Sequence, residues 1–197
     1  MKGQVDRGTH DIDFFGLSQV SVDRLVPVAE VALRAEGLTV ERVVSNPGFT
    51  RLRVAEGPET TEVDFGVDAR LFPTEPGPGF PVLSSEELAV DKILAIFGRA
   101  EARDFVDLAS IVGGDDLERL FGLASQKDRG FRPQIFEEMT GRFFRLRRSE
   151  FPVDDAEFDR LETIVREWAT IARSVALAPE WQLPRERSGD VDRGLGR

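Results

Sequence analysis

Asp11 and Asp13 stand two apart in the run Asp-Ile-Asp-Phe-Phe, residues 11–15, which reads as a short strand ending at Gly16. Strand alternation puts both carboxylates on one face and sends Ile12 and Phe14 toward a core. Two carboxylates side by side repel each other unless a cation lies between them. The chain has no Cys and one His, so the ion that suits the site is a hard, oxygen-liganded one such as Mg2+. The bland alternative for an Asp-x-Asp tripeptide is a solvated strand end. A third acid changes that balance. In residues 61–67, Val63, Phe65 and Val67 face one way and Glu62 and Asp64 the other, so Asp64 on a neighbouring strand could face the same ion.

Composition narrows the chemistry further. Without Cys there are no disulfides, thiolate metal sites or cysteine nucleophiles, and the lone His10 leaves no multi-histidine metal site within one subunit. Carboxylates, Lys, Arg and hydroxyls must do the work. The 197 residues and 41% apolar content suit one ordinary soluble domain or two small ones, and the net charge of −10 argues against coating nucleic acid or anionic membrane non-specifically. No run approaches the roughly 20 apolar residues of a membrane span and no signal-peptide pattern opens the chain, so the expected location is the cytoplasm. The cations comprise 23 Arg and three Lys (Lys2, Lys92, Lys127), and 15 Phe stand beside no Tyr. In a chain so biased toward Arg, a Lys inside an ordered element is read as needed there.

The elements that must position these residues follow from pattern. Apolar residues at three- and four-residue steps predict a helix from Ser21 to about Gly37, which Pro27 should kink or delay. Three strands are predicted at Leu38–Ser45, Phe49–Ala55 and Thr60–Val67, separated by Asn46-Pro47-Gly48 and Glu56-Gly57-Pro58 turns. The expected organisation is α+β: a small mixed sheet region over 1–71, a Pro/Gly linker over 72–83, a helical domain over 84–183, and a disordered tail over 184–197. Helices are predicted from Ser84 to about Arg99, with a capping box at Ser84-Ser85-Glu86-Glu87, and then at Ala102–Val112, Asp116–Ser125, Pro133 to about Arg147, and Asp155 to about Val175.

Strand, helix, strands and then a carboxylate strand is the order in which nucleotidyltransferases of the polymerase-β type assemble a metal triad. The run Arg7-Gly8-Thr9-His10-Asp11-Ile12-Asp13-Phe14-Phe15 resembles the R-x-[ST]-x-D-[IL]-D-[FL]-[FL] segment of the AbiEii/AbiGii-type toxin nucleotidyltransferases. Residues 87–108, from Glu87-Leu88 through Lys92 and Arg99 to Arg103-Asp104-Phe105-Val106-Asp107-Leu108, resemble that family's second signature. The resemblance implies a Mg2+-dependent toxin that transfers a nucleoside monophosphate from an NTP, with tRNA a possible acceptor and a cognate antitoxin as partner. It implies Asp11, Asp13 and Asp64 as metal ligands, and Lys92, Asp104 and Asp107 as further catalytic residues. Arg7, Thr9, Lys92 and Arg103 would contact the nucleotide.

Lys92 shares a helix face with Leu88, Ala89, Ala95 and Ile96, so its stem would run along apolar surface while the ammonium reaches outward. Asp104 and Asp107 lie at i, i+3 on the next helix, where they could orient Lys92 or an acceptor hydroxyl, or form a charge pair complementing the helix dipole. From Lys127 to Arg148 seven cations face three acids, a local +4, and Phe143 and Phe144 could stack a base. A solvated helix face with Phe in the core is the plainer reading of that stretch. The family also places a Gly-Gly-Thr or Gly-Ser turn upstream of the Asp-x-Asp to receive phosphates. Here only an isolated Gly3 precedes Asp11, so the expected site lacks its first catalytic turn. Two other readings follow: a non-catalytic relative serving as a binding or regulatory module, and a nucleotidyltransferase acting on a small molecule such as an antibiotic or sugar.

Overall fold

A computed structural model describes residues 11–77, 79–112 and 116–182, with the backbone alone at Asp11, Glu180 and Gln182. Arg7, Thr9, His10 and the 184–197 segment lie outside the described residues. The fold is mixed α+β, and the chain divides into two units, Met1–Ser84 and Ser85–Arg197.

The first unit runs β1 (Asp11–Gly16), α1 (Gln19–Ala35), β2 (Thr39–Asn46), β3 (Phe49–Glu56) and β4 (Glu59–Val67). The sheet order is β1-β4-β3-β2, with β1 parallel to β4 and the other pairs antiparallel. Both hairpins turn through two residues, and Gly48 and Gly57 there adopt φ of +74° and +57°, a conformation that side chains disfavour. One sheet face packs on α1: Val22 and Val26 bury against Leu52, Val54, Val63 and Phe65, with Phe14, Ala29 and Leu33 at the margin. Phe14 stacks on Phe65 at 5.3 Å. Ile12, expected to face the core, remains 42% exposed because it sits near the outer end of the edge strand.

Helix α1 begins two residues before the predicted start. Ser18 caps it, its hydroxyl accepting from the Ser21 amide, and Pro27 lies inside the helix instead of delaying it. The helix therefore tolerates one missing backbone donor because its apolar stripe is anchored on the sheet. The described residues between 72 and 82 hold no regular element beyond a bridge between Glu75 and Val82.

The second unit is helical: α2 (Ser85–Gly98), α3 (Ala102–Ile111), α4 (Leu117–Lys127), α5 (Pro133–Thr140), α6 (Asp155–Ala176) and α7 (Pro179–Gln182). Its core gathers Phe105, Phe121, Phe131, Phe136, Phe143 and Trp168, all at most 2% exposed. The predicted helix from Pro133 to Arg147 ends at Thr140, and single 3-10 turns follow at Phe143–Arg145 and Arg148–Glu150. The break lets Phe143 enter the core, where its ring meets Phe105, Phe151 and Phe158. A continuous helix of that sequence would spread its aromatic and Arg residues around one cylinder.

Candidate active site

Register decides how the first unit's acids are arranged. Asp13 lies directly across the parallel pair from Asp64, and Asp11 from Glu62. Since Val63 and Phe65 are buried against α1, Glu62 and Asp64 project to the opposite, open face, and alternation puts Asp13 there too. Three acid positions thus line adjacent strands on the face opposite α1, which no other helix covers among the described residues of this unit.

The strand on the other side supplies a cation. Arg51 of β3 is the antiparallel partner of Asp64. Its Nε and Nη2 donate to the two Asp64 carboxylate oxygens, both at 2.7 Å, and its Nη1 is 3.0 Å from Glu62. The bond to Asp64, reinforced by the charges of Asp64, Glu62 and Asp13, holds the guanidinium's pKa above its ordinary value. This fork is the most specific contact on the face. Two residues further along β4, Gly66 stands between Phe15 and Phe49, where a Cβ would lie 3.6–3.7 Å from their rings.

Arg51 was not among the sequence-derived candidates, although a signal for it exists. Counting back along both strands from the two-residue Gly57-Pro58 turn pairs Arg51 with Asp64 and Arg53 with Glu62. A cation facing two acids on a solvated strand face is then required, because bare carboxylates at that spacing repel.

In the second unit the signature residues form pairs between neighbouring elements. Lys92 of α2 extends its ammonium to Asp107 of α3, with Nζ to Oδ2 at 2.8 Å and both side chains largely covered. The ammonium expected to reach outward is therefore held by the next helix. Asp104, three residues earlier, does not share that cation. It is fully buried, accepts from Arg99 Nε and Nη2 at 3.0 and 2.9 Å, and accepts from the Glu101 amide at 3.1 Å to close the start of α3. Arg103 is exposed and donates to Glu101 at 3.2 Å.

Lys127 has left the basic stretch altogether. Its side chain is 5% exposed, and its ammonium donates to Glu87, at 2.6 Å, and to Asp91 of α2. Phe143 is 2% exposed and cannot stack a base, whereas Phe144 is 47% exposed beneath the Arg166 guanidinium. Both described lysines of this Arg-rich chain thus tie a helix to α2, where a compact, rotatable ammonium fits between close carboxylates.

A strand pair with opposed aspartates on an open sheet face, followed in the chain by helices carrying a Lys–Asp pair, is an arrangement whose carboxylate oxygens could hold a cation. The particular family follows from comparison: residues 2–183 match the model for the nucleotidyl transferase AbiEii toxin of type IV toxin–antitoxin systems, and the chain belongs to that family. No curated protein and no solved structure matches the chain. No described helix is long and apolar enough to cross a membrane.

Proposed function

We propose that the protein is a Mg2+-dependent nucleotidyltransferase toxin of the cytoplasm, moving a nucleoside monophosphate from an NTP to an acceptor, with tRNA the acceptor class and a cognate antitoxin its inhibitor. The observation that carries this reading is the Asp13–Asp64 register on an open sheet face, taken with membership of a nucleotidyl transferase family. The donor set fits the ion, since Asp13, Glu62 and Asp64 offer carboxylate oxygens, which a small hard dication prefers to nitrogen or sulfur. Asp11, Asp13 and Asp64 would hold it. A bound Mg2+ supplies charge neutralisation to the triphosphate and acidifies an acceptor hydroxyl.

The chain's own residues do the remainder. Arg51 keeps Asp64 oriented through its fork and balances the face when the ion is away, and each Asp64 oxygen retains a second lone pair for the ion. Lys92 is held by Asp107, which fixes an ammonium for a phosphate oxygen, and Arg103, Arg7 and Thr9 add nucleotide contacts. Asp104 acts on that group indirectly, by fixing the first turn of α3, the turn before the one that carries Asp107.

Incubation with radiolabelled NTPs, Mg2+ and tRNA tests the reading. Label on tRNA that disappears with Asp13→Asn is expected, and no transfer to tRNA or to small acceptors would overturn it. The Arg51–Asp64 fork favours one competing reading, a non-catalytic binding module in which the Arg permanently replaces the ion. That reading requires Mg2+ and NTP to leave the melting temperature unchanged, since a ligand of the native state raises it.

A further inference from the structure

The acids of the sheet face have an aromatic row beside them. Two residues along the three strands from Asp13, Asp64 and Arg51 stand Phe15, Gly66 and Phe49, and register pairs both Phe15 and Phe49 directly with Gly66. Phe14, Phe65 and Leu52 pack into the core under α1, so alternation puts Phe15, Gly66 and Phe49 on the opposite face, with the acids. The two rows cross the same strands about 7 Å apart.

Gly66 shapes the second row. A glycine within a strand gives up a packing side chain and marks a bulge, a bend or a place where a ligand or another group approaches closely. No bulge explains this one, because the pairing of β4 with β1 and with β3 holds its register through Gly66. Ring atoms approach instead: Phe15 Cδ1 and Cε1 and Phe49 Cδ2 come within 3.6–3.7 Å of where a Cβ would stand. The rings thus lean in from both flanking strands and cover Gly66, which is buried. Phe15 nevertheless remains 38% exposed and Phe49 half-buried. These are partly solvated phenyl rings beside a row of charges, and they still have apolar surface to bury.

The two rows together select a ligand. The acid row suits an ion that carries phosphate oxygens, and the aromatic row suits a flat apolar ring. A ligand that satisfies both has an anionic end and a planar end separated by about the length of a sugar, as a nucleoside triphosphate has. Resting on the nucleotidyltransferase reading, we propose that Phe15 and Phe49, drawn together over Gly66, form the platform on which the base of the NTP stacks, with its phosphates over the acid row. Stacking uses the π face that every base presents, so the platform holds the nucleotide without reading a hydrogen-bonding edge.

Calorimetry on the full chain in Mg2+ tests this, with the four NTPs and inorganic tripolyphosphate, which has no base, as probes. The variants are Phe15→Leu and Phe49→Leu, which keep an apolar cover over Gly66 but lose the π face, and Phe15→Tyr and Phe49→Tyr, which keep the ring. Each Leu variant is expected to melt near wild type and to lose about tenfold in NTP affinity, while tripolyphosphate stays within about twofold. The Tyr variants should hold NTP within about threefold of wild type. Equal loss for NTP and tripolyphosphate, a loss in the Tyr variants as large as in the Leu variants, or unchanged NTP binding in all four overturns the platform and leaves the nucleotidyltransferase reading standing. A wild type that binds no NTP overturns that reading and the platform with it.

Discussion

Charge is handled in opposite ways in the two units. On the open face of the sheet, Asp13, Glu62 and Asp64 lie side by side around Arg51, and register forces like charges onto adjacent strands. In the helical unit, Lys92 meets Asp107, and Lys127 meets Glu87 and Asp91, in largely covered helix-to-helix ties, while the half-exposed Arg99 just past α2 meets the buried Asp104 of α3. These pairs match charge between neighbouring segments of the helical unit, whereas on the sheet face three acid positions gather around Arg51, where we propose that a cation binds. The second signature's Lys92, Arg99, Asp104 and Asp107 thus all take part in ion pairs within the helical unit, whereas Asp13 of the first signature lies across from another acid.

The contrast can be broken by experiment. Its largest expected effect is on Lys127. Truncation to Ala leaves Glu87, 1% exposed, as a buried carboxylate stripped of its cation, and should cost about 3–5 kcal/mol in denaturant unfolding. A loss below 1 kcal/mol would mean that this charge is not structural. Asp13→Asn is expected to do the reverse: melting stays near wild type, while transfer of label from NTP falls at least ~100-fold. Asp104→Asn weakens the fork to Arg99 but keeps an acceptor for the Glu101 amide, so a loss of about 1–2 kcal/mol is expected, measured by chemical denaturation.

The smallest effect concerns Glu30 of α1, which accepts from Arg42 Nε and Nη2 at 2.5 and 2.9 Å. This hydrogen bonding holds the Glu30 carboxyl below its ordinary value of 4.5 against the opposing effect of burial. A lowered folded value means stabilisation that is present above the unfolded pKa and lost as pH falls through the folded one. Wild type should thus exceed Glu30→Gln by about 1 kcal/mol or less at neutral pH, and the gap should close as urea midpoints are taken below about pH 4.5. A gap that widens on acidification would contradict the assignment.

Much of the sheet unit was legible in the sequence because its determinants are local. Two-residue turns at Pro47-Gly48 and Gly57-Pro58 set the hairpins, and alternation around Val63 and Phe65 sorts the acids from the core. Residues at the ends of long-range contacts were less visible. Nothing within ten residues of Lys127 announces that its partners sit on α2, so a buried tie resembled part of a basic patch. The break after Thr140 was hidden for a related reason: helical spacing continues through Arg147, but burying Phe143 among Phe105, Phe151 and Phe158 outweighs continuing the helix. Arg51 lay between these cases, recoverable from turn counting but masked by a strand of ordinary composition.

The central claim is that the acid surplus on the sheet face is a cation site. Mn2+ titration followed by water-proton relaxation measures it directly, with Mn2+ as a probe for Mg2+. Wild type is expected to bind Mn2+ more tightly with NTP present, and both Asp13→Asn and Asp64→Asn should weaken binding at least ~10-fold. Mn2+ binding unchanged by both substitutions would contradict the account.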